Sequence, residues 1–190
     1  MNIQILDRNQ IIEVYYSKMI HDFPQDELRP LDRILGPYDE GTYICYGLFD
    51  EACDCGDILG YACFVKRQNN YLFDYLAVSE ASRNSGLGTE FLRLIKNMLI
   101  DSDSVVGEVE DPEYAVNSEE KRIQERRLGF YLRNGYINTG VKVKLFGVDY
   151  IVLELDLGKN HDRQTVEKLY QEHYRSMLPE SLYLSKVIIK

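Results

Sequence analysis

The stretch from Leu76 to Ile95, LAVSEASRNSGLGTEFLRLI, constrains the fold more than any other part of the chain. It passes from an apolar segment through a polar turn with two glycines into large apolar side chains at helical spacing, Leu87, Phe91 and Ile95, continued by Met98 and Leu99. A strand that ends, an RNSGLG loop and a helix starting near Leu87 bring several unpaired backbone N–H groups and the positive end of a helix dipole to one spot. That spot suits an anion. Gly86 and Gly88 keep side chains away from the backbone, and Arg83 adds charge at the rim, so the physics alone points to phosphate. The turn lacks both the lysine and hydroxyl residue that follow the last glycine of an ATP-type P-loop and the third glycine of a dinucleotide fingerprint.

The remaining pattern mixes strands and helices without a repeat. Asn2 to Leu6 reads as a first strand, and Gln10 to Ile20 carries apolar residues at helical spacing. A short helix is expected from Gln25 to Leu35, ended by Gly36 and Pro37. Thr42 to Phe49, Ile58 to Lys66 and Tyr71 to Val78 then form a strand meander that feeds the glycine turn. Beyond the helix, SVVGEVE is a fifth strand and DPEYAVN a polar loop, and Asn117 with Glu120 forms a capping box for a helix to Asn134, closed by Gly135. Strands near Val141 to Phe146 and Tyr150 to Leu157 flank a turn at Gly147 to Asp149. A helix from about Thr165 to Met177 and a strand-like tail, SLYLSKVIIK, end the chain.

Composition narrows the function. The 190 residues are 45% hydrophobic, which suits one globular domain. A net charge of -9 argues against nucleic acid and is compatible with a cationic small molecule. The opening MNIQILDRNQ has no leader pattern and no apolar run approaches the roughly 18 residues of a membrane span, so no membrane partner and a cytoplasmic location are expected. Cys45 and Cys63 are expected to face each other in a hairpin with Cys53 and Cys55 at its tip. Cys-x-Cys lacks the usual ligand gap of a zinc site, so reduced thiols and no metal are the reading adopted.

The order Arg-x-x-Gly-x-Gly at Arg83 to Gly88, between a meander's last strand and an amphipathic helix, resembles the acetyl-CoA pyrophosphate loop of the GNAT superfamily of N-acetyltransferases. Two further segments resemble ribosomal-protein N-terminal acetyltransferases of that superfamily. GEVE matches their Leu-Glu-Val stretch and puts Glu108 at the glutamate position, and GFYLRNGYI matches their Leu/Phe-Tyr-x-x-x-Gly-Phe segment and puts Tyr131 at the tyrosine position. The resemblance covers about residues 1–157, taken as the acetyltransferase domain. Residues 158–190 form an extension expected to dock on the sheet or on a second subunit, the latter giving a homodimer.

The resemblance implies an α/β (α+β) fold whose central sheet, mixed but mostly antiparallel and of about seven strands, is flanked by helices, with its fourth and fifth strands splayed. It implies acetyl-CoA as cosubstrate, its pantetheine arm along Leu76, Ala77 and Val78 and its pyrophosphate at Arg83, Asn84, Ser85, Gly86, Leu87, Gly88 and Thr89. A backbone N–H near Ala77 would polarise the thioester oxygen. Acetyl transfer needs a neutral amine and a proton for the departing thiolate. Glu108 is the first candidate base, Glu110 on the same strand face its reserve and Asp74 a third, while Tyr131 is the candidate acid.

The sequence departs from the family where an Asn and an Ala are expected, seven and four residues before the tyrosine; Gln124 and Arg127 stand there, and the interval from Glu108 to Tyr131 is longer. Ribosomal-protein acetylation therefore does not carry over, and the acceptor is a small-molecule or peptide amine. The carboxylates of Glu108 to Glu120, with Tyr15, Tyr16 and Tyr114, can frame a cation, the alternative being a solvated acidic loop. A catalytically silent acyl-CoA-binding or protein-interaction module is the alternative function.

Overall fold

The alternating apolar segments become strands of one sheet. In the computed structural model, which describes residues 1–25, 27–50, 57–82 and 85–190, the strands are β1 (Asn2–Ile5), β2 (Tyr43–Phe49), β3 (Ile58–Arg67), β4 (Asn70–Val78), β5 (Ser104–Glu110), β6 (Tyr136–Leu145), β7 (Val148–Leu155) and β8 (Val187–Ile189). Their order is β1-β2-β3-β4-β5-β7-β6-β8, and the pairs β1–β2, β2–β3, β5–β7, β6–β7 and β6–β8 are antiparallel. The eighth strand exceeds the expected seven and comes from the C-terminal extension.

The chain forms two compact units, Met1–Gln68 with Phe73–Met98, and Asn69–Leu72 with Leu99–Lys190. In the first, β1, β2 and β3 pair in sequence, with Cys45 opposite Cys63 as expected. Helix α1 (Arg8–Val14) starts at a full capping box: Asp7 accepts from Asn9 and Gln10 N–H while the Gln10 side chain accepts from Asp7 N–H. It runs on through a π-turn (Tyr15–Met19) into α2 (Ile20–Asp22), so the expected 10–20 helix exists with a widened turn inside it. Ile11, Val14, Met19, Leu48, Phe64, Phe91 and Ile95 form the core, with Phe64 and Phe73 stacked at 4.6 Å.

The helix expected over 25–35 instead spans Asp32–Asp39 (α3) and contains the Gly36–Pro37 pair read as its stop. Pro37 sacrifices one helical N–H, but its own carbonyl is used: Thr42 donates to it from both the backbone (2.8 Å) and the hydroxyl (3.1 Å). Gly36, without a Cβ, eases the crowding a residue before proline normally suffers. The upstream segment is held by tertiary contacts: Tyr15 OH donates to Arg29 O, and Tyr75 OH accepts from Arg29 N–H and donates to Glu27 O. Helix α4 (Leu87–Met98) buries Leu87, Phe91 and Ile95 as its spacing predicts, with Leu92 beside them and Leu99 just beyond, but Met98, expected on the same face, is 49% exposed.

In the second unit β5, β7, β6 and β8 pair antiparallel, and Glu108 stands opposite Val152 and Glu110 opposite Tyr150. Helix α5 (Ser118–Arg133) begins where Asn117 accepts from Glu120 N–H, but Glu120 reaches Val116 N–H, one residue short of closing the expected box. Gly135 follows it at φ 86°. The β6–β7 hairpin turns at Phe146 and Gly147, both at positive φ (49° and 94°), the twist a two-residue connection demands.

The tail is not the continuous strand its alternation suggests. Helix α6 (Arg163–Met177), capped by Asp162, buries Val166, Tyr170, His173 and Tyr174. After it α7 (Glu180–Lys186) starts at Pro179, whose carbonyl accepts from Leu182 and Tyr183 N–H, and only Val187–Ile189 is extended. Tyr183 lies buried with the Arg175 guanidinium 4.5 Å from its ring centre. β8 then pairs with β6, Val143 opposite Ile189.

Candidate active site

The glycine turn meets α4 as the sequence implies. Gly86 lies at φ 88°, and its carbonyl accepts from Glu90 N–H at 3.1 Å, which makes it the N-cap. Leu87, Gly88 and Thr89 are therefore the first-turn residues whose N–H groups an α-helix leaves without intrahelical partners, at the positive end of its dipole. A Cβ at Gly86 would meet nothing within 4 Å, so the glycine answers to backbone conformation rather than to protein crowding. The Leu87 side chain is turned into the core, which leaves only its main chain for a ligand. Ser85 donates to Ser82 O at 2.6 Å. Arg83 and Asn84 lie outside the described residues.

Leu76, Ala77 and Val78 are half-buried at the end of β4. Gly60 of β3 sits close behind them: a Cβ there would lie 3.0 Å from Ala77 O and 3.1 Å from Val78 Cγ1. Asp74, the third candidate base, is committed elsewhere. Arg29 meets it with Nε at 2.9 Å from Oδ2, a second nitrogen at 3.1 Å from Oδ1, and Tyr43 OH donates to it at 2.6 Å. With 9% of its side chain exposed, Asp74 acts as an anchor for Arg29.

The three catalytic candidates belong to the second unit. Tyr131, half-buried on α5, packs edge-on against Phe130 at 5.4 Å and Tyr136 at 5.3 Å. Burial raises its phenol to about 12; nearby Arg127 lowers it and Glu110 raises it. It is thus a protonated phenol at any neutral pH, the state a general acid requires. Glu110 forms an ion pair with Arg127, the residue at the family's alanine position. Glu108 accepts a hydrogen bond from Tyr174 OH of α6, a contact between residues 66 apart that no local pattern announced.

Gln124 is 6% exposed; its Nε2 donates to Glu120 at 3.0 Å, while its Oε1 has no hydrogen-bond partner among the described residues. A buried orphan acceptor at the family's asparagine position fits a donor on a ligand. The acidic stretch after β5 is largely compensated from within: Lys142 Nζ lies 2.8 Å from Asp111 and 2.5 Å from Glu113. Tyr114 already carries a cation, Lys190 Nζ 4.0 Å from its ring centre, and Tyr15 serves Arg29. The solvated-loop alternative is thus nearer the observation than a preformed cation site there.

Cys45 and Cys63 are buried, not joined in a disulfide, their sulfurs 2.9 Å apart. Burial, then the Cys45 thiol, pushes Cys63 well above the ordinary thiol range. Cys53 and Cys55 lie outside the described residues, and among the described residues no group of three or more metal-ligating side chains assembles. No described helix is long and apolar enough to cross a membrane.

A sheet in this strand order, with a glycine turn opening the helix that follows β4, defines an acetyltransferase-type α/β fold. The chain belongs to the acetyltransferase (GNAT) family, whose sequence profile matches residues 9–117, more than half of its length. A GNAT-family protein from Bacteroides thetaiotaomicron shares the fold with a TM-score of 0.69 at 18% identity, covering 93% of this chain and 98% of that one. The ribosomal-protein-S18-alanine N-acetyltransferase of Escherichia coli is similar at TM-score 0.59 and 16% identity, over 81% of this chain and 92% of its own. A Bacillus subtilis acetyltransferase in complex with CoA gives 0.54 and 16%, over 82% and 97%. No curated protein matches the chain at a significant level.

Proposed function

We propose that this chain transfers the acetyl group of acetyl-CoA directly to a primary amine, of a small molecule or a peptide, within a ternary complex. The observation that carries the reading is the turn at Gly86, whose positive φ leaves the main chain of Leu87, Gly88 and Thr89 at the head of α4. The buried, unpartnered Oε1 of Gln124 adds a ligand acceptor.

Acetyl-CoA, when bound, supplies the acetyl group activated as a thioester. Leu76, Ala77 and Val78 hold its pantetheine amides by main-chain pairing, much as one strand holds another, and Arg83 to Thr89 hold its pyrophosphate. A backbone N–H near Ala77 polarises the thioester oxygen. Glu108 takes the proton that the acceptor nitrogen loses as its bond to the acetyl carbon forms. Tyr131 gives its phenol proton to the sulfur as the carbon–sulfur bond breaks, so the products are an amide and a free thiol. Solvent returns the proton from Glu108 to Tyr131. Glu110, paired with Arg127, is the reserve base.

Direct attack is preferred to a covalent route because the described thiols, Cys45 and Cys63, are buried, and Cys63 is held in its neutral form. Residues 1–157 are proposed as the acetyltransferase domain and 158–190 as its extension. Incubation with acetyl-CoA and a panel of polyamines, aminoglycosides, amino-acid derivatives and peptides tests the reading. An acetylated amine formed with stoichiometric free thiol supports it, and CoA binding without product on any amine favours a silent acyl-CoA-binding module.

A further inference from the structure

Tyr174 lies on α6, well past the residues that match the family profile, yet its hydroxyl donates to Oε1 of Glu108 on β5. The contact is built by a helix face rather than by a stray surface side chain. Tyr170, His173 and Tyr174 are 0%, 1% and 3% exposed at positions i, i+3 and i+4, and Val166, one turn earlier, is 0% exposed. The Tyr170 and Tyr174 rings lie 4.7 Å apart at 42°. Burial, and next the charge of Glu108, pushes the Tyr170 phenol well upward, so both phenols of this face neighbour the carboxylate.

We propose that Tyr174 is a positioning residue for acetyl transfer, the device by which the C-terminal extension fixes the carboxylate of Glu108. The inference rests on the acetyltransferase reading above and deepens it. A glutamate has three rotatable bonds, and a base must keep one oxygen within hydrogen-bond reach of the proton it takes. A phenol suits the holding task because it stays a neutral donor throughout the range in which a carboxylate titrates. By engaging Oε1 it sets the carboxylate plane and favours the ionised form that accepts a proton. Tyr170, packed on the Tyr174 ring, holds the phenol in turn.

The test is a double-mutant cycle with the full chain, acetyl-CoA and whichever amine the panel identifies, reading kcat and KM separately. Tyr174→Phe keeps the ring packed on Tyr170 and removes one O–H. It is expected to lower kcat about 10-fold while KM for acetyl-CoA changes less than about two-fold, and to leave a single cooperative melt. In a Glu108→Gln background the same substitution is expected to lower kcat no further, because the group it positions is gone. Full kcat in a folded Tyr174→Phe, or equal losses with and without Glu108, overturns the positioning role while the enzyme's activity leaves the proposed function standing. A wild type inactive on every amine overturns the proposed function, and this inference with it.

Discussion

Substituting Gly86 separates what the turn needs for folding from what it needs for binding. The residue sits at φ 88°, a left-handed conformation that costs an L side chain about 1–2 kcal/mol. No protein atom lies within 4 Å of where a Cβ would be, so Gly86→Ala should lose that conformational cost and little more. For a chain of this size about 1 kcal/mol corresponds to about 2–4 °C in Tm. The β-branched Gly86→Val should cost more, up to about 3 kcal/mol, because its χ1 is restricted as well. Binding should fall independently. If a pyrophosphate comes down on the N–H groups of Leu87, Gly88 and Thr89, a side chain in that open space holds it off. A loss of about 1.4 kcal/mol or more, a tenfold rise in Kd, is expected for CoA by calorimetry. Differential scanning fluorimetry on the same samples gives the stability half. Unchanged CoA affinity in a folded Gly86→Val would refute the placement of the pyrophosphate, whatever happened to Tm.

Removing Arg29 by Arg29→Met should strand the nearly buried Asp74 carboxylate and cost about 3 kcal/mol in urea unfolding, within the range for breaking one side of a buried pair; a loss under about 1 kcal/mol would mean Tyr43 suffices. A chain ending at Leu157 should not melt cooperatively, since it forfeits the burial of Val166, Tyr170, Tyr174, Tyr183 and Val187 at about 1.5–3 kcal/mol each, against a typical total stability of about 5–15 kcal/mol. A cooperative melt at the full-length temperature would show the extension to be dispensable. Tyr131 titrates higher in the folded chain than the ordinary value of 10, at about 12, so the stability its burial confers is present below pH 10 and lost as pH rises through that window. Tyr131→Phe should flatten that alkaline loss in a pH series of thermal melts, and an unchanged series would remove burial as its cause.

The sequence made the meander, α4 and α5 legible because each carries a local signal that survives tertiary packing: alternation, an apolar stripe, an Asn cap, a closing Gly135. It misjudged the 25–35 segment because Gly36 and Pro37 read as a stop, whereas Thr42 repairs the proline's helix end from outside the local window. The tail misled for a related reason. Tyr183, Ser185 and Val187 alternate, but a proline at the N-cap and a buried Tyr183 under Arg175 decide for one short helix first. In the candidate site, the glycine turn and Tyr131 stood out by residue type and order. The partners of the acids did not: Arg127 appeared only as a departure from the family pattern, and Tyr174 is separated from Glu108 by 66 positions with nothing local to link them. Helical spacing of Val166, Tyr170 and Tyr174 marks an inward face without saying what it meets.

In the proposed mechanism Tyr131 delivers a proton to the departing thiolate during transfer to an amine. Steady-state kinetics of Tyr131→Phe on an acceptor verified with the wild type, with CoA affinity measured alongside, tests it most directly. CoA affinity within about two-fold of wild type and turnover lower by roughly 10²-fold or more are expected, the loss of a positioned acid. Full turnover in a folded Tyr131→Phe would contradict it.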